Sequence, residues 1–204
     1  VMGAPTGSIR ILPSSKNEIE VTAEIELQAL TVADLDRLAE VTGFITDESV
    51  GRTGIVSLGT HNKLGDKKRW KKFPKHLLGL PFRIDYTIYV PRYCDIEIDG
   101  GKGDLSVTGV EGSIRVNFVE TNAKVEVISG VASIVLGRGK ADIAFGTRGW
   151  RNRTADVQMA NGDLTIHLPS SASAQIDAAI LRTGKIDNSF PDLKPRDRKL
   201  PFTD

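Results

Sequence analysis

Cys94 is the only cysteine among 204 residues, so the chain can form neither an internal disulfide nor a cysteine-rich zinc site. A lone thiol of this kind reads as a small buried hydrophobe. Histidine is equally scarce. His61, His76 and His167 lie far apart, and no His-Glu-x-x-His motif, Gly-x-Ser-x-Gly elbow or phosphate-binding P-loop occurs. Gly137-Arg138-Gly139-Lys140 is too short for a nucleotide loop and suits a turn. An excess of one charge is missing too: 27 Lys plus Arg stand against 26 Asp plus Glu, so the whole-molecule field gives no general reason to expect nucleic acid. Aromatics reach only 6%, which points to a thin aliphatic core. Neither end carries a long apolar run, so no transmembrane helix or secretory signal is visible. The opening Val1-Met2-Gly3-Ala4-Pro5 does not read as a native start and fits a removed leader or anchor.

What the chain does have is a repeat. Between Cys94 and Phe145 a short polar–aliphatic–polar–aliphatic unit recurs as Asp95-Ile96-Glu97-Ile98, Asp104-Leu105-Ser106-Val107, Ser113-Ile114-Arg115-Val116, Lys124-Val125-Glu126-Val127, Ser133-Ile134-Val135-Leu136 and Asp142-Ile143-Ala144-Phe145. Its steps, counted from Ile96, are 9, 9, 11, 9 and 9 residues. Nine residues rotate a helix by about 900°, which would set each unit opposite the last, so helix is excluded. Within one unbroken strand an odd step also swaps faces, so each unit is expected as its own strand, reset by a glycine turn. An antiparallel meander and a solenoid both fit. Alternate units fall on two tracks, Ile96, Ile114, Ile134, Val157, Ile176 (steps of 18, 20, 23 and 19) and Leu105, Val125, Ile143, Leu164, Ile186 (20, 18, 21 and 22), a near-constancy that favours a solenoid with two short strands per coil. Outward Glu97 would then lie beside Arg115.

The flanks fit an all-β chain with one helix. Gly7–Leu12 and Glu18–Leu27 alternate and read as a hairpin or a first coil. Thr31 can cap a helix over residues 32–41, whose Leu35, Leu38 and Val41 share a face and which Gly43 would stop. Phe44 to Leu58 reads as strand broken by a turn near 48–53, and Phe82, Ile84, Tyr86, Ile88 and Val90 form one face of a strand ended by Pro91. The organisation expected is residues 1–90 as strands, short helix and basic loop, 91–190 as glycine-rich repeats, and 191–204 as an irregular tail, within one continuous domain.

Two departures from the repeat are the candidate contact sites. Lys67, Lys68, Arg69, Trp70, Lys71 and Lys72 interleave cations with an aromatic, as an anionic surface, an acidic glycan or nucleic acid would require, although a solvated loop between strands has the same composition. Arg148, Trp150, Arg151 and Arg153 sit in an insertion that lengthens one coil; Trp can stack on a sugar face and Arg can fork a carboxylate, and a packed loop plug is the alternative. The repeated Asp95, Asp104, Asp142, Asp156 and Asp163 could suggest a polysaccharide-cleaving β-helix, but their place at strand starts marks a turn role.

Tyr86-Thr87-Ile88-Tyr89-Val90-Pro91, Asp95-Ile96-Glu97-Ile98, Gly103-Asp104-Leu105-Ser106-Val107 and Gly162-Asp163-Leu164-Thr165-Ile166-His167-Leu168-Pro169 together resemble the bacterial putative-adhesin family of unknown function, related to the head GIN domain of auto-transporter adhesins. The resemblance implies a right-handed β-solenoid, a cell-envelope or extracellular setting and no catalytic residues. The expectation is a non-enzymatic binding module with no cofactor and no bound metal, whose partner is a glycan, an anionic surface or a protein rather than specific nucleic acid. The alternative is a structural solenoid that self-assembles into homo-oligomers or filaments.

Overall fold

The computed structural model describes residues 2–62, 67–146 and 154–190, with side chains placed for all of these except 2–5 and 67–69. The chain divides into two compact units, Val1–Ala172 and Ser173–Asp204. In the first, eleven strands share one hydrogen-bonded sheet: β1 (Met2–Thr6), β2 (Ile9–Ser14), β3 (Glu20–Leu27), β4 (Gly43–Ser49), β5 (Arg52–Leu58), β6 (Phe82–Pro91), β7 (Ile96–Lys102), β8 (Leu105–Val107), β9 (Ile114–Val127), β10 (Ala132–Phe145) and β11 (Ala155–His167). Helix α1 (Val32–Ala39) follows β3, and helix α2 (Lys67–Lys72) with a single 3-10 turn (Lys75–Leu77) precedes β6.

Local sequence accounts for several of these elements. The Thr31 hydroxyl accepts the Asp34 N–H at 3.1 Å, which satisfies one of the orphan donors at the start of α1, and Leu38 is buried beneath it. β6 alternates as its residues dictate, with Ile84, Tyr86, Ile88 and Val90 inward. β4 and β5 form an antiparallel hairpin turned at Val50-Gly51, where Gly51 takes φ +73. Of the two readings for these segments, the hairpin fails: β2 and β3 do not pair. β6 lies between them, parallel to β2 and antiparallel to β3. The basic stretch is also not loop throughout, because Lys67–Lys72 closes a helical turn, as a run of Lys and Arg with good helix propensity allows.

The repeat forms parallel ladders with a fixed offset. β7 pairs with β9 as Ile96↔Ile114 and Ile98↔Val116, β9 with β10 as Ile114↔Ala132 and Val125↔Ile143, and β10 with β11 as Ile134↔Val157 and Ile143↔Ile166. The offset is 18 residues twice, then 23 where the insertion lies. The tracks read from the sequence are therefore two residues out of register at Ile114–Ile134, at Leu105–Val125 and at Ile143–Leu164, where Ile143 pairs with Ile166 and Leu164 with Ala141. At the first two steps the true partners, Ala132 and Ala123, are buried but too small to stand out in an aliphatic pattern.

The first two units are separate strands, β7 and β8, as expected, but from β9 on two units share one strand. Ile114, Val116 and Phe118 are buried, then Thr121, Ala123, Val125 and Val127, so the inward parity changes at Glu120 without the chain leaving the ladder. β10 does the same between Leu136 and Ala141. At this corner Gly139 takes φ +129, and a Cβ there would collide with the Thr121 carbonyl oxygen. Each long strand thus has two arms, and the inward residues of both arms form one aliphatic cluster with Tyr86 and Phe118. Each such burial is worth roughly 1.5–3 kcal/mol before entropy is subtracted. In the second unit, residues 173–190 carry no strand, so the repeats expected at Gln175–Ala178 and Gly184–Asp187 do not form there.

Candidate functional site

Of the expected contact residues, Arg148, Trp150, Arg151 and Arg153 lie outside the described residues. The other group is a single helical turn. α2 carries Lys67, Lys68, Arg69, Trp70, Lys71 and Lys72 in sequence order, and the side chains of 67–69 lie outside the described ones. Lys71 and Lys72 are exposed. Trp70 is only partly exposed, because its ring packs against Phe73 at 5.3 Å between centroids with a 58° tilt. The segment is tied to α1 by His76, whose Nε2 lies 3.2 Å from Asp34 Oδ1. Hydrogen bonding to Thr31 outweighs the opposing effect of burial and, with a lesser contribution from His76, holds the Asp34 carboxyl below its usual range.

The outward side of the second arm is a polar lattice. Register places Asp85, Ser8, Asp104, Asn122, Lys140 and Asp163 in one row across six strands. Thr87, Arg10, Ser106, Lys124, Asp142 and Thr165 form the next. Strands about 4.8 Å apart fix these groups at a repeating distance. Within the first row Asp85 accepts from the Ser8 hydroxyl and amide, both at 2.6 Å, and Asn122 donates to Asp104 at 3.0 Å. Of the aspartates at repeat starts, Asp95 accepts the Ser113 N–H at 2.7 Å, but Ser113 is 18 residues on and beside the neighbouring strand, so this bond joins strands and is not the local turn role expected. Glu97 and Arg115 are register partners, as the repeat predicted. Among the described residues no group of three or more His, Cys, Asp or Glu could hold a metal ion.

No family model matches the chain, and no curated protein does. A crystal structure of a putative cell adhesion protein from Clostridium sporogenes ATCC 15579 is similar at 9% identity, covering 81% of this chain and 90% of that one, with a TM-score of 0.48. A likeness at that level carries no argument, so the family resemblance stands only on the residues quoted for it.

Sequence reasoning missed one group. Tyr93, 73% exposed, follows the end of β6, and the Arg92 guanidinium sits 5.8 Å from its ring centroid. Arg92 is itself held by Glu111, with Nε and Nη2 at 2.8 and 2.7 Å from one carboxylate oxygen. Tyr93 and Glu111 are 18 residues apart and meet only through an isolated parallel bridge. The signal available in the sequence was the break in alternation after Pro91. Cys94 beside it is half-buried, and burial pushes its thiol up, as does the neighbouring Asp95. No helix among the described residues is long and apolar enough to cross a membrane.

Proposed function

We propose that the repeat is a right-handed β-solenoid and that the protein is a non-enzymatic, adhesin-like module of the cell envelope or surface, whose rigid outward face binds a glycan. The register of β9 and β10 supports the coil. Both strands have fourteen residues and pair in parallel throughout, with only residues 128–131 between them. Fourteen extended residues would span about 46 Å, and four can reach back only about 14 Å. The chain can return to the start of the ladder only if each strand folds back at its corner. Parallel crossovers of this kind are right-handed in about 98% of cases.

The binding reading rests on one observation: a face of side-chain donors and acceptors at fixed strand spacing, with an exposed Tyr93 braced by Arg92 and Glu111 at the end of β6. Tyr offers a stacking face to a sugar ring, and a ladder of Asp, Asn, Lys and Thr matches hydroxyls. The cations of α2 favour a glycan that carries carboxylate or sulfate. A glycan array probed with the native chain and with Tyr93→Ala, Lys124→Ala/Lys140→Ala and Lys71→Glu/Lys72→Glu tests this. Binding of an acidic glycan that falls at least about tenfold in the Tyr93 and lattice variants is expected. Absence of any glycan binding, or binding indifferent to all three, would overturn the reading.

A further inference from the structure

β11 is the last strand of the ladder. It pairs with β10 along one edge, and among the described residues no strand pairs with the other. The direction of its backbone groups follows from the rungs before it. Ile96 donates to Ser113, Ile114 to Val131 and Ala132 to Thr154, while on the other arm Tyr86 donates to Ser8 and Ile9 to Asp104. In each case the inward residue turns its backbone toward the following rung. On β11 the same pattern aims the backbone groups of Val157, Met159, Leu164 and Ile166 at the edge with which no described strand pairs. Their side chains continue the apolar ladder but are less covered than the residues they pair with. Leu164 and Ile166 remain 38% and 43% exposed, whereas Ala141 and Ile143 are buried.

We infer that this edge is closed by a second copy of the same strand, in an antiparallel, two-fold pairing that runs through the corner. With the axis between Asn161 and Gly162, Val157 of one copy faces Ile166 of the other, and Met159 faces Leu164. Every residue whose backbone points outward then meets another that does. A two-fold axis along the bisector of the corner exchanges the two arms and leaves the apolar side facing in, so the core continues from one copy into the next. The outward residues match as well: Gln158 faces Thr165, and Asp156 faces His167, a carboxylate opposite an imidazole. Any one-residue shift would set apolar inward positions against polar outward ones. At the opposite end of the sheet the outermost strands carry Glu20, Glu24 and Glu26 on β3 and Asp47 and Glu48 on β4, and like charges there discourage the same pairing. The assembly is therefore a closed dimer rather than a filament.

Sedimentation of the full chain over a range of concentrations should give a monomer–dimer equilibrium, and Leu164→Lys/Ile166→Lys should raise the dissociation constant by about 100-fold or more. Because those changes touch the last rung and could disturb folding, the register is tested separately by Gln158→Cys/Thr165→Cys in a Cys94→Ser background. Oxidation should link two copies through these opposed positions, and Gln158→Cys/Asp163→Cys, two residues out of register, should not. A monomer at every concentration overturns the proposal. If its β11 amides are nonetheless protected from exchange, the edge is covered from within the chain. Growth beyond the dimer, or cross-linking equal in both cysteine pairs, also overturns it.

Discussion

The Phe118 ring fills the space that a side chain at residue 100 would need: a Cβ built on Gly100 runs into the ring of its register partner on β9. The aromatic and the glycine are one packing unit spread over two rungs.

This unit should be non-additive. Phe118→Ala is expected to cost about 3–5 kcal/mol through the cavity it leaves. Gly100→Ala should cost about 1–3 kcal/mol by overpacking against the ring. In the double variant the second cost should largely vanish, since the new methyl enters the space the ring vacated. Urea unfolding of the four proteins measures the coupling.

The corner makes a sharper demand on backbone. Gly139→Ala combines φ +129 with a collision against the Thr121 carbonyl, and should destabilise by more than about 2 kcal/mol. Gly43→Ala is the control, having no heavy atom within 4 Å of a new Cβ and no positive φ; it should change stability by less than about 1 kcal/mol. Thermal unfolding of both variants checks the contrast.

Thr121 holds the corner place that Gly139 and Gly162 take on later rungs, and its hydroxyl is buried with no hydrogen-bond partner among the described residues. Replacing an unpaired buried hydroxyl by a methyl of similar shape removes a desolvation penalty. Thr121→Val should therefore raise stability by about 1 kcal/mol, read from the urea midpoint.

Asp85 ties β6 to β2. Burial opposes its ionisation, but hydrogen bonds from Arg83 and from the Ser8 hydroxyl and amide outweigh this and hold the carboxyl below its usual 3.8. Because the folded value is depressed, the contribution is complete above the unfolded value and is lost as pH falls through the lower folded one. Asp85→Asn should thus be less stable than the native chain near neutral pH, and the gap should narrow as the pH falls below the usual carboxylate range and the native carboxyl is protonated. A gap that persists unchanged at low pH would mean that Asp85 acts only through packing.

Strand faces and the cap of α1 were legible because period and spacing encode them directly: Phe82 to Val90 alternates, and Thr31 stands three residues before Asp34. Register was less so. A pattern of large aliphatics skips Ala123 and Ala132, and the corner at Glu120-Thr121 carries no glycine to announce it. Gly184-Lys185-Ile186-Asp187 shows the reverse failure, a repeat-like string that forms no strand, since a four-residue pattern specifies an edge without supplying its partner. Tyr93 was marked in the sequence only by the break in alternation after Pro91, because what distinguishes it, Arg92 fixed by Glu111, comes together only across two rungs.

The coil itself is tested most directly by one distance. Spin labels on Glu97→Cys and Asp156→Cys, in a Cys94→Ser background, sit on outward positions linked through Arg115 and Ser133 by successive register pairs. Stacked coils place their backbones three strand spacings apart, about 15 Å, despite the long stretch of sequence between them. A meander in which the units follow one another across a sheet would place them about twice as far apart, and that result would contradict the coil.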